Sequence, residues 1–205
     1  MDPVAVLRAV AIVAAAYLIG GIPWGVIVAR LAGGPDPRTI GSGRTGGANV
    51  MRALGPRLAL VSGILDMLKG TVAVLLAVAL GAGIEVEVLA GLAAIVGHSR
   101  SPFLGFSGGR GVSAAFGASL FFSLPAALLT LLTFLAVLAI WRYTSLASLV
   151  GSAVGGAAFT AQILATGMPL ALLGFSIGAP ALVWLFHLDN IGRLRRGEER
   201  KFGAK

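Results

Sequence analysis

Long apolar stretches separated by short polar segments organise the chain. Residues 3–29 are apolar apart from Arg8 and Pro23, and residues 58–81 form a second stretch that contains Asp66 and Lys69. Further stretches run over 84–98, 112–140, 146–165 and 168–186, with Gly167 and Pro169 as the break between the last two. A membrane-crossing helix needs about 20 such residues, so the pattern predicts a series of transmembrane helices. The head carries Asp2 rather than a basic cluster, and its apolar run exceeds the ~7–15 residues of a signal-peptide core. The first stretch therefore reads as a span.

The polar segments between these stretches set the number of crossings. Arg30, Arg38, Arg44, Arg52 and Arg57 flank the first long loop, Arg100 and Arg110 the second, Arg142 marks a third, and the tail is basic again. The segment 82–87 has no basic residue and carries Glu85 and Glu87. The excess of Lys and Arg in cytoplasmic loops places the four basic segments inside and the Glu85 loop outside. Between Arg110 and Arg142 the chain must then cross an even number of times. As one helix, 112–140 would be roughly 43 Å long, against a hydrocarbon core of ~30 Å. A hinge near Ser123-Leu124-Pro125, giving two short crossings or a re-entrant pair, meets both constraints. The expected architecture is an all-α, polytopic membrane bundle of about seven transmembrane helices forming a single domain over 1–205. Its N-terminus is outside and its C-terminus cytoplasmic.

Composition agrees with this pattern. Of 205 residues 57% are hydrophobic and 12% charged, whereas a soluble domain carries roughly 25% charged residues and a disordered chain is charge-rich and apolar-poor. The absence of cysteine excludes disulfides, thiolate metal sites and a cysteine acyl-enzyme. The formal charge is +8, and thirteen of the sixteen basic residues are arginine. In a soluble protein that balance points to nucleic acid; in a membrane protein it reads as topology-setting charge and attraction to anionic lipid, or as arginines that hold an anionic substrate.

Unusual local sequence concentrates in the basic segments. Gly41-Ser42-Gly43-Arg44-Thr45-Gly46-Gly47-Ala48-Asn49 is glycine-rich, and free backbone N–H groups ahead of a helix starting near Asn49 suit an anion. Arg52 falls one turn beyond Asn49 on a similar face. A flexible Gly/Ser linker is the plain alternative, and no Gly-Lys-Ser/Thr follows, so this is not a nucleotide P-loop. Gly108-Gly109-Arg110-Gly111 precedes an apolar run and forms a second candidate nest, or an interfacial turn with a topology-setting arginine. In Arg142-Tyr143-Thr144-Ser145 the hydroxyls cap a helix or meet a headgroup. His187 and Asn190 share a helix face in the tail, and Glu199 follows the Gly197 break; a solvated, lipid-adjacent end is the alternative. Inside the second span Asp66 and Lys69, three apart, are placed to pair, for a functional or a purely structural reason.

Together these segments resemble the bacterial acyl-phosphate:glycerol-3-phosphate acyltransferase family (the PlsY family) over nearly the whole chain. The resemblance rests on Tyr17-Leu18-Ile19-Gly20-Gly21-Ile22-Pro23-Trp24-Gly25, Gly41-Ser42-Gly43, Asn49-Val50, Arg52, Leu65-Asp66 and Leu68-Lys69-Gly70. It continues through Gly97-His98, Gly105-Phe106, Gly108-Gly109, Gly111-Val112, Arg142 to Ser148, His187, Asn190-Ile191, Arg193-Leu194, Gly197 and Glu199. It implies a multi-pass enzyme of the bacterial inner membrane, its active site facing the cytoplasm. Such an enzyme acylates the sn-1 hydroxyl of glycerol 3-phosphate from acyl phosphate, releasing lysophosphatidic acid and inorganic phosphate, the first step of phospholipid biosynthesis. No metal, cofactor, acyl-CoA, acyl carrier protein or nucleic acid is implied. The partners are the two substrates and the bilayer, and a monomer is expected to suffice.

Carried over position by position, the resemblance implies catalytic roles for His187, Asn190 and Ser42. It implies substrate binding by Gly41, Gly43, Asn49, Arg52, Gly108, Gly109, Arg110, Ser145 and Glu199, and support of the site by Asp66, Lys69 and His98. His187 is one candidate for the base that takes the hydroxyl proton; a substrate phosphate is the other and is preferred, because no paired carboxylate or His–Asp arrangement is legible. Arg44, Gly47-Ala48, Arg100, Ser107 and Arg110 depart from the family pattern, which usually has lysine at the last two. Arginine's planar fork does not replace a lysine point charge directly. Two other readings stay open from sequence: a transporter or scramblase of an anionic metabolite or lipid, motivated by the Asp66–Lys69 pair, and an inactive paralogue.

Overall fold

The computed structural model describes residues 2–203, which are helical without a β-strand among them. The helices are α1 (Pro3–Gly21), α2 (Trp24–Leu31), α3 (Gly47–Leu54), α4 (Pro56–Ala79) and α5 (Ile84–Ser99), followed by α6 (Val112–Phe122), α7 (Leu124–Trp141), α8 (Thr144–Thr166), α9 (Leu173–Leu185) and α10 (Leu188–Arg195). They form two compact units, Met1–Ala118 and Ser119–Lys205, which are described in turn.

Local chemistry fixes most helix ends. The Asp2 carboxylate accepts the Val4 N–H at 3.0 Å, with Pro3 at the first helical position of α1, where proline's missing N–H is harmless. Pro23 then divides the stretch 3–29, predicted as one element, into α1 and α2, because proline can neither donate to the preceding turn nor leave its predecessor helical. Gly55 at φ +81° and Pro56 turn the chain from α3 into α4. The break inside 112–140 falls at Ser123, as expected. The Ser123 Oγ accepts the Ala126 N–H at 3.2 Å to cap α7 and donates to the Gln162 side chain at 2.5 Å.

In the first unit α1, α4 and α5 pack on one another around Ile12, Ala16, Ala73, Ala77, Ala90 and Ala94. Gly20 lies against the Ala94 backbone and Gly97 against the Tyr17 carbonyl, so closely that a methyl group at either would collide. Small residues that admit close backbone approach are the usual solution where lipid supplies no hydrophobic drive between helices. On α4 the large apolar residues Leu60, Ile64, Leu68, Val72 and Leu75 are exposed while Asp66 and Lys69 are buried, the inverse of a soluble helix. In the second unit α8 packs on α7 and α9, with Gly156 against Pro180 and the Trp184 Nε1–H donating to the Leu149 carbonyl at 3.1 Å.

Among the described residues four helices, α1, α4, α7 and α8, are each long and apolar enough to cross a bilayer, and Leu170–Leu185 with Leu188–Arg195, bent by 60°, makes five if that pair is one broken span. Two others are shorter than a straight crossing requires: α5 with 16 residues and α6 with 11, about 24 and 17 Å at ~1.5 Å per residue. Length and composition alone thus single out fewer spans than the seven expected.

Candidate active site

The first glycine-rich loop is organised by one buried side chain. Asn49, 2% exposed on α3, donates from Nδ2 to the carbonyls of Ile40 and Arg44, both at 2.9 Å, and lies 3.1 Å from the Ser42 hydroxyl. Its Oδ1 accepts from Arg52 Nη1 at 2.8 Å, with the Ser42 N–H at 3.4 Å. The amide thus draws residues 40–44 around itself and holds the guanidinium one turn away. Gly41 (φ +63°) and Gly43 (φ +69°) occupy the left-handed region, where a side chain is strained. At Gly41 a Cβ would come within 2.5 Å of Asn49 Oδ1 and 3.1 Å of Arg52 Nη1. Ser42 and Arg52 remain exposed, presenting a hydroxyl and a cation to a ligand. Ahead of this loop the Asp36–Arg38 pair closes at 2.7 Å; the hydrogen bond from Arg38 holds the Asp36 carboxyl below its usual value.

The second glycine segment is built differently. Gly108, Gly109 and Gly111 are buried, and the Gly109 N–H donates to the His98 carbonyl at 3.0 Å. A Cβ at 108 would strike that carbonyl, one at 109 the His98 imidazole, and one at 111 Ile95 and Ser99. Close approach to α5 accounts for Gly108 and Gly109, Gly111 adds a left-handed φ of +78° to the same close approach, and the Gly109 N–H is engaged within the protein. Two further ties attach this segment to α1: Tyr17 Oη donates to the Arg100 carbonyl and Ser101 Oγ to the Gly21 carbonyl, each at 2.6 Å. Arg110 follows, half-buried. Below the segment Asp66 and Lys69 pair at 2.8 Å, the contact their spacing predicted. His98 Nδ1 lies 3.5 Å from the same carboxylate oxygen.

Also in the first unit, an apolar cleft of about 350 Å³ opens between α2 and α4, lined by Trp24, Ile27, Val28, Leu31, Leu58 and Leu65 among others. Its wall begins at the start of α4, immediately after the Arg52 loop.

In the second unit Glu199 gathers the remaining predicted residues. Its Oε1 accepts from Ser145 Oγ at 2.7 Å and Asn190 Nδ2 at 2.5 Å, and its Oε2 from Arg193 Nε at 2.7 Å. Burial alone would raise this carboxyl, but the three hydrogen bonds and the Arg193 charge outweigh it and hold the group below the usual carboxylate range. The tail reaches this position through Gly197 at φ +72° and is fastened at its end, where the Phe202 N–H donates to the Arg142 carbonyl at 2.5 Å and Arg142 Nη2 to the Phe202 carbonyl at 3.1 Å. His187 is buried ahead of α10, its Nδ1 2.7 Å from the Val183 carbonyl. A carbonyl only accepts, so Nδ1 carries a proton in this contact, which leaves Nε2 as the acceptor nitrogen of the neutral imidazole.

Eleven predicted positions (Gly41, Ser42, Gly43, Asn49, Arg52, Asp66, Lys69, His98, Gly108, Gly109 and Arg110) therefore fall in the first unit, and Ser145, His187, Asn190 and Glu199 in the second. Four residues that make these contacts had no site role assigned from sequence: Arg193, Arg142, Phe202 and Tyr17. Only Arg193 left a local sign, its i,i+4 spacing from Asp189, which it meets at 3.3 Å.

Residues 10–197 match the family model described as glycerol-3-phosphate acyltransferase. The chain belongs to the glycerol-3-phosphate acyltransferase family. A protein of that name from Rhodospirillum rubrum is 44% identical over 93% of this chain and 89% of its own length. One from Rubrobacter xylanophilus is 43% identical over 92% of each. Among solved structures, the glycerol 3-phosphate form of PlsY, an integral membrane glycerol 3-phosphate acyltransferase, superposes with a TM-score of 0.85 at 36% identity over 96% of both chains. The lysophosphatidic acid form gives 0.84 at 35%. The protein is thus a membrane acyltransferase of this family.

Proposed function

We propose that the protein transfers the acyl group of an acyl phosphate to the sn-1 hydroxyl of glycerol 3-phosphate, giving lysophosphatidic acid and inorganic phosphate. The observation that carries this reading is the first loop, where a buried amide holds an exposed hydroxyl and guanidinium side by side. That arrangement suits a phosphate, since charge-assisted N–H···O contacts from arginine are both strong and directional. The apolar cleft between α2 and α4 offers a place for a long chain alongside that loop, which favours an acylated co-substrate over two water-soluble ones.

The chemistry asks little of the protein beyond placement and charge stabilisation. An acyl phosphate is already activated: the glycerol oxygen bonds to the acyl carbon, the bond from that carbon to the phosphate oxygen breaks, and inorganic phosphate leaves. The hydroxyl proton passes to a phosphate oxygen, so no covalent acyl-enzyme is required. Ser42, Asn49 and Arg52, with Gly41 and Gly43 shaping the loop, bind phosphate, and Arg110, on the segment that Gly108 and Gly109 seat against α5, neutralises phosphate charge. Ser145, Asn190 and Glu199 contact substrate, and His187 Nε2 accepts a hydrogen bond from it. The enzyme is a seven-span protein of the bacterial inner membrane, N-terminus outside, with these loops on the cytoplasmic side, as its basic segments indicate.

The test is formation of lysophosphatidic acid by the purified full chain in lipid-supplemented detergent, with glycerol 3-phosphate and either acyl phosphate, followed also by phosphate release, or acyl-CoA, followed also by release of free CoA. Turnover with acyl phosphate alone supports the reading. Turnover with acyl-CoA alone would reassign the donor, and no turnover with either would overturn it.

A further inference from the structure

The reaction above makes no use of Asp66, Lys69 and His98, which are nevertheless buried ionisable side chains of the first unit. Ionisable groups at such depth are costly to keep, and each of these faces a specific neighbour. Lys69 Nζ donates to the Ile22 carbonyl at 2.9 Å, inside the break that Pro23 makes between α1 and α2. The same ammonium pairs with Asp66, whose carboxylate lies 3.5 Å from Nδ1 of His98. The opposite edge of the imidazole, Nε2, faces Gly109 so closely that no Cβ fits between them. A line of buried neighbours therefore runs from the helix break through α4 and α5 to the residue next to Arg110: hydrogen-bonded from Ile22 to Asp66, a 3.5 Å electrostatic approach of Asp66 to His98 Nδ1, which makes no hydrogen bond, and a steric contact of the ring with Gly109.

We propose that His98 is a positioning residue: braced from behind by Asp66 and Lys69, its ring is the wall against which Gly109 rests, and this sets where Arg110 stands. The inference builds on the proposed reading, in which Arg110 meets a substrate phosphate. Three features favour positioning over a mere filling of space. The segment beyond His98 is attached to α5 by the Gly109 N–H and to α1 by Tyr17 and Ser101, so its remaining freedom is its distance from the imidazole. Glycine at 109 is demanded by that ring and by no backbone strain, since its φ is not positive. The Lys69 contact ties the same line to Ile22, two residues before the start of the cleft wall at Trp24.

The test pairs substitutions on the two sides of the contact. Gly109→Ala should raise KM for one of the two phosphate-bearing substrates by about tenfold or more, with kcat and the other KM much less affected, because a shift of ~1 Å in a binding group has effects of that order. His98→Asn keeps an amide beside Asp66 but withdraws the edge that Gly109 touches. In the Gly109→Ala background it should restore most of the lost KM, although alone it should weaken binding. Lys69→Gln, which retains a donor for the Ile22 carbonyl, should change KM less than Lys69→Met. Calorimetric affinity for inorganic phosphate should follow the same order in all variants. Independent effects of the 98 and 109 substitutions, or variants that lose kcat and thermal stability together with KM unchanged, would overturn the inference. A wild-type protein that binds phosphate, with the expected coupling, but transfers no acyl group would instead overturn the proposed reaction and leave the positioning role standing.

Discussion

The two glycine-rich loops of the first unit look alike as strings and work in opposite ways. In the loop at 41–49 Gly41, Gly43 and Gly47 are exposed and the first two adopt positive φ, while a single buried amide, Asn49, supplies the order. In the segment at 108–111 the glycines are buried, and order comes from packing against His98, Ile95 and Ser99. The first loop is a hydrogen-bonded frame with little of its own bulk; the second is a ledge seated on a helix. Glycine content alone thus says that backbone must come close to something. What it approaches, a ligand or a neighbouring helix, depends on which groups surround it.

The difference can be challenged by substitution. The largest effect is expected from Arg52→Ala, which removes an exposed cation from the hydrogen-bonded frame. Turnover with saturating acyl phosphate should fall about 10²-fold, the order found when one preorganised charge-stabilising donor is deleted. A change below about threefold in the phosphate-release assay would remove this loop from the reaction. Next comes Asn49→Ala, which strands the carbonyls of Ile40 and Arg44 and should cost about 2 kcal/mol of stability. Asn49→Asp should fare no better, because it turns acceptor oxygens toward those carbonyls. Equal denaturation midpoints for wild type and Asn49→Asp would show that the donors are not what orders the loop.

Gly41→Ala, forced to keep a left-handed φ and facing Asn49 Oδ1, should lose roughly 1–2 kcal/mol. Gly47→Ala has open space and should stay within about 0.5 kcal/mol of wild type. If both substitutions had the same effect on the melting temperature, the conformational argument for Gly41 would fail.

The second unit offers a smaller, pH-dependent effect in which a carboxylate plays the part that Asn49 plays in the first. Folding holds the Glu199 carboxyl below its unfolded value. Its contribution is therefore present above the unfolded pKa of about 4.3 and is lost as the pH falls through the lower folded value. Glu199→Gln removes that contribution and sets an amide against Arg193. The melting-temperature difference between wild type and variant should be full near neutral pH and shrink as the solution is acidified toward about pH 4. A difference that grows on acidification would mean that the folded state binds the proton more tightly than the unfolded chain.

Much of this was legible in the sequence because it depends on neighbours along the chain. Apolar runs interrupted by proline, glycine and arginine predict membrane helices and the hinge at Ser123. A spacing of three residues predicts that Asp66 and Lys69 can pair and puts Arg52 on a face similar to that of Asn49; the pair forms, and Arg52 donates to the Asn49 side chain. The resemblance to the acyltransferase family, carried by motifs in a fixed order, pointed to the residues that the fold gathers around Asn49 and Glu199. Pro23 is visible too, as a break in the stretch 3–29, but that the break frees the Ile22 carbonyl for Lys69 depends on where α4 packs.

What only the tertiary structure decided are the contacts between residues far apart in sequence. That Gly109 rests on His98, that Tyr17 reaches Arg100, and that Phe202 returns to Arg142 across 60 residues leave no periodic trace, because each is one pairing among many that the same composition would permit. The sequence by itself determined where the apolar helices lie, which basic residues flank them, and the family. The packing of α5 beneath the second segment decided that its glycines serve close approach. Helix periodicity and capping act over a few residues and are readable in one dimension, whereas steric exclusion acts between surfaces that only the fold brings together.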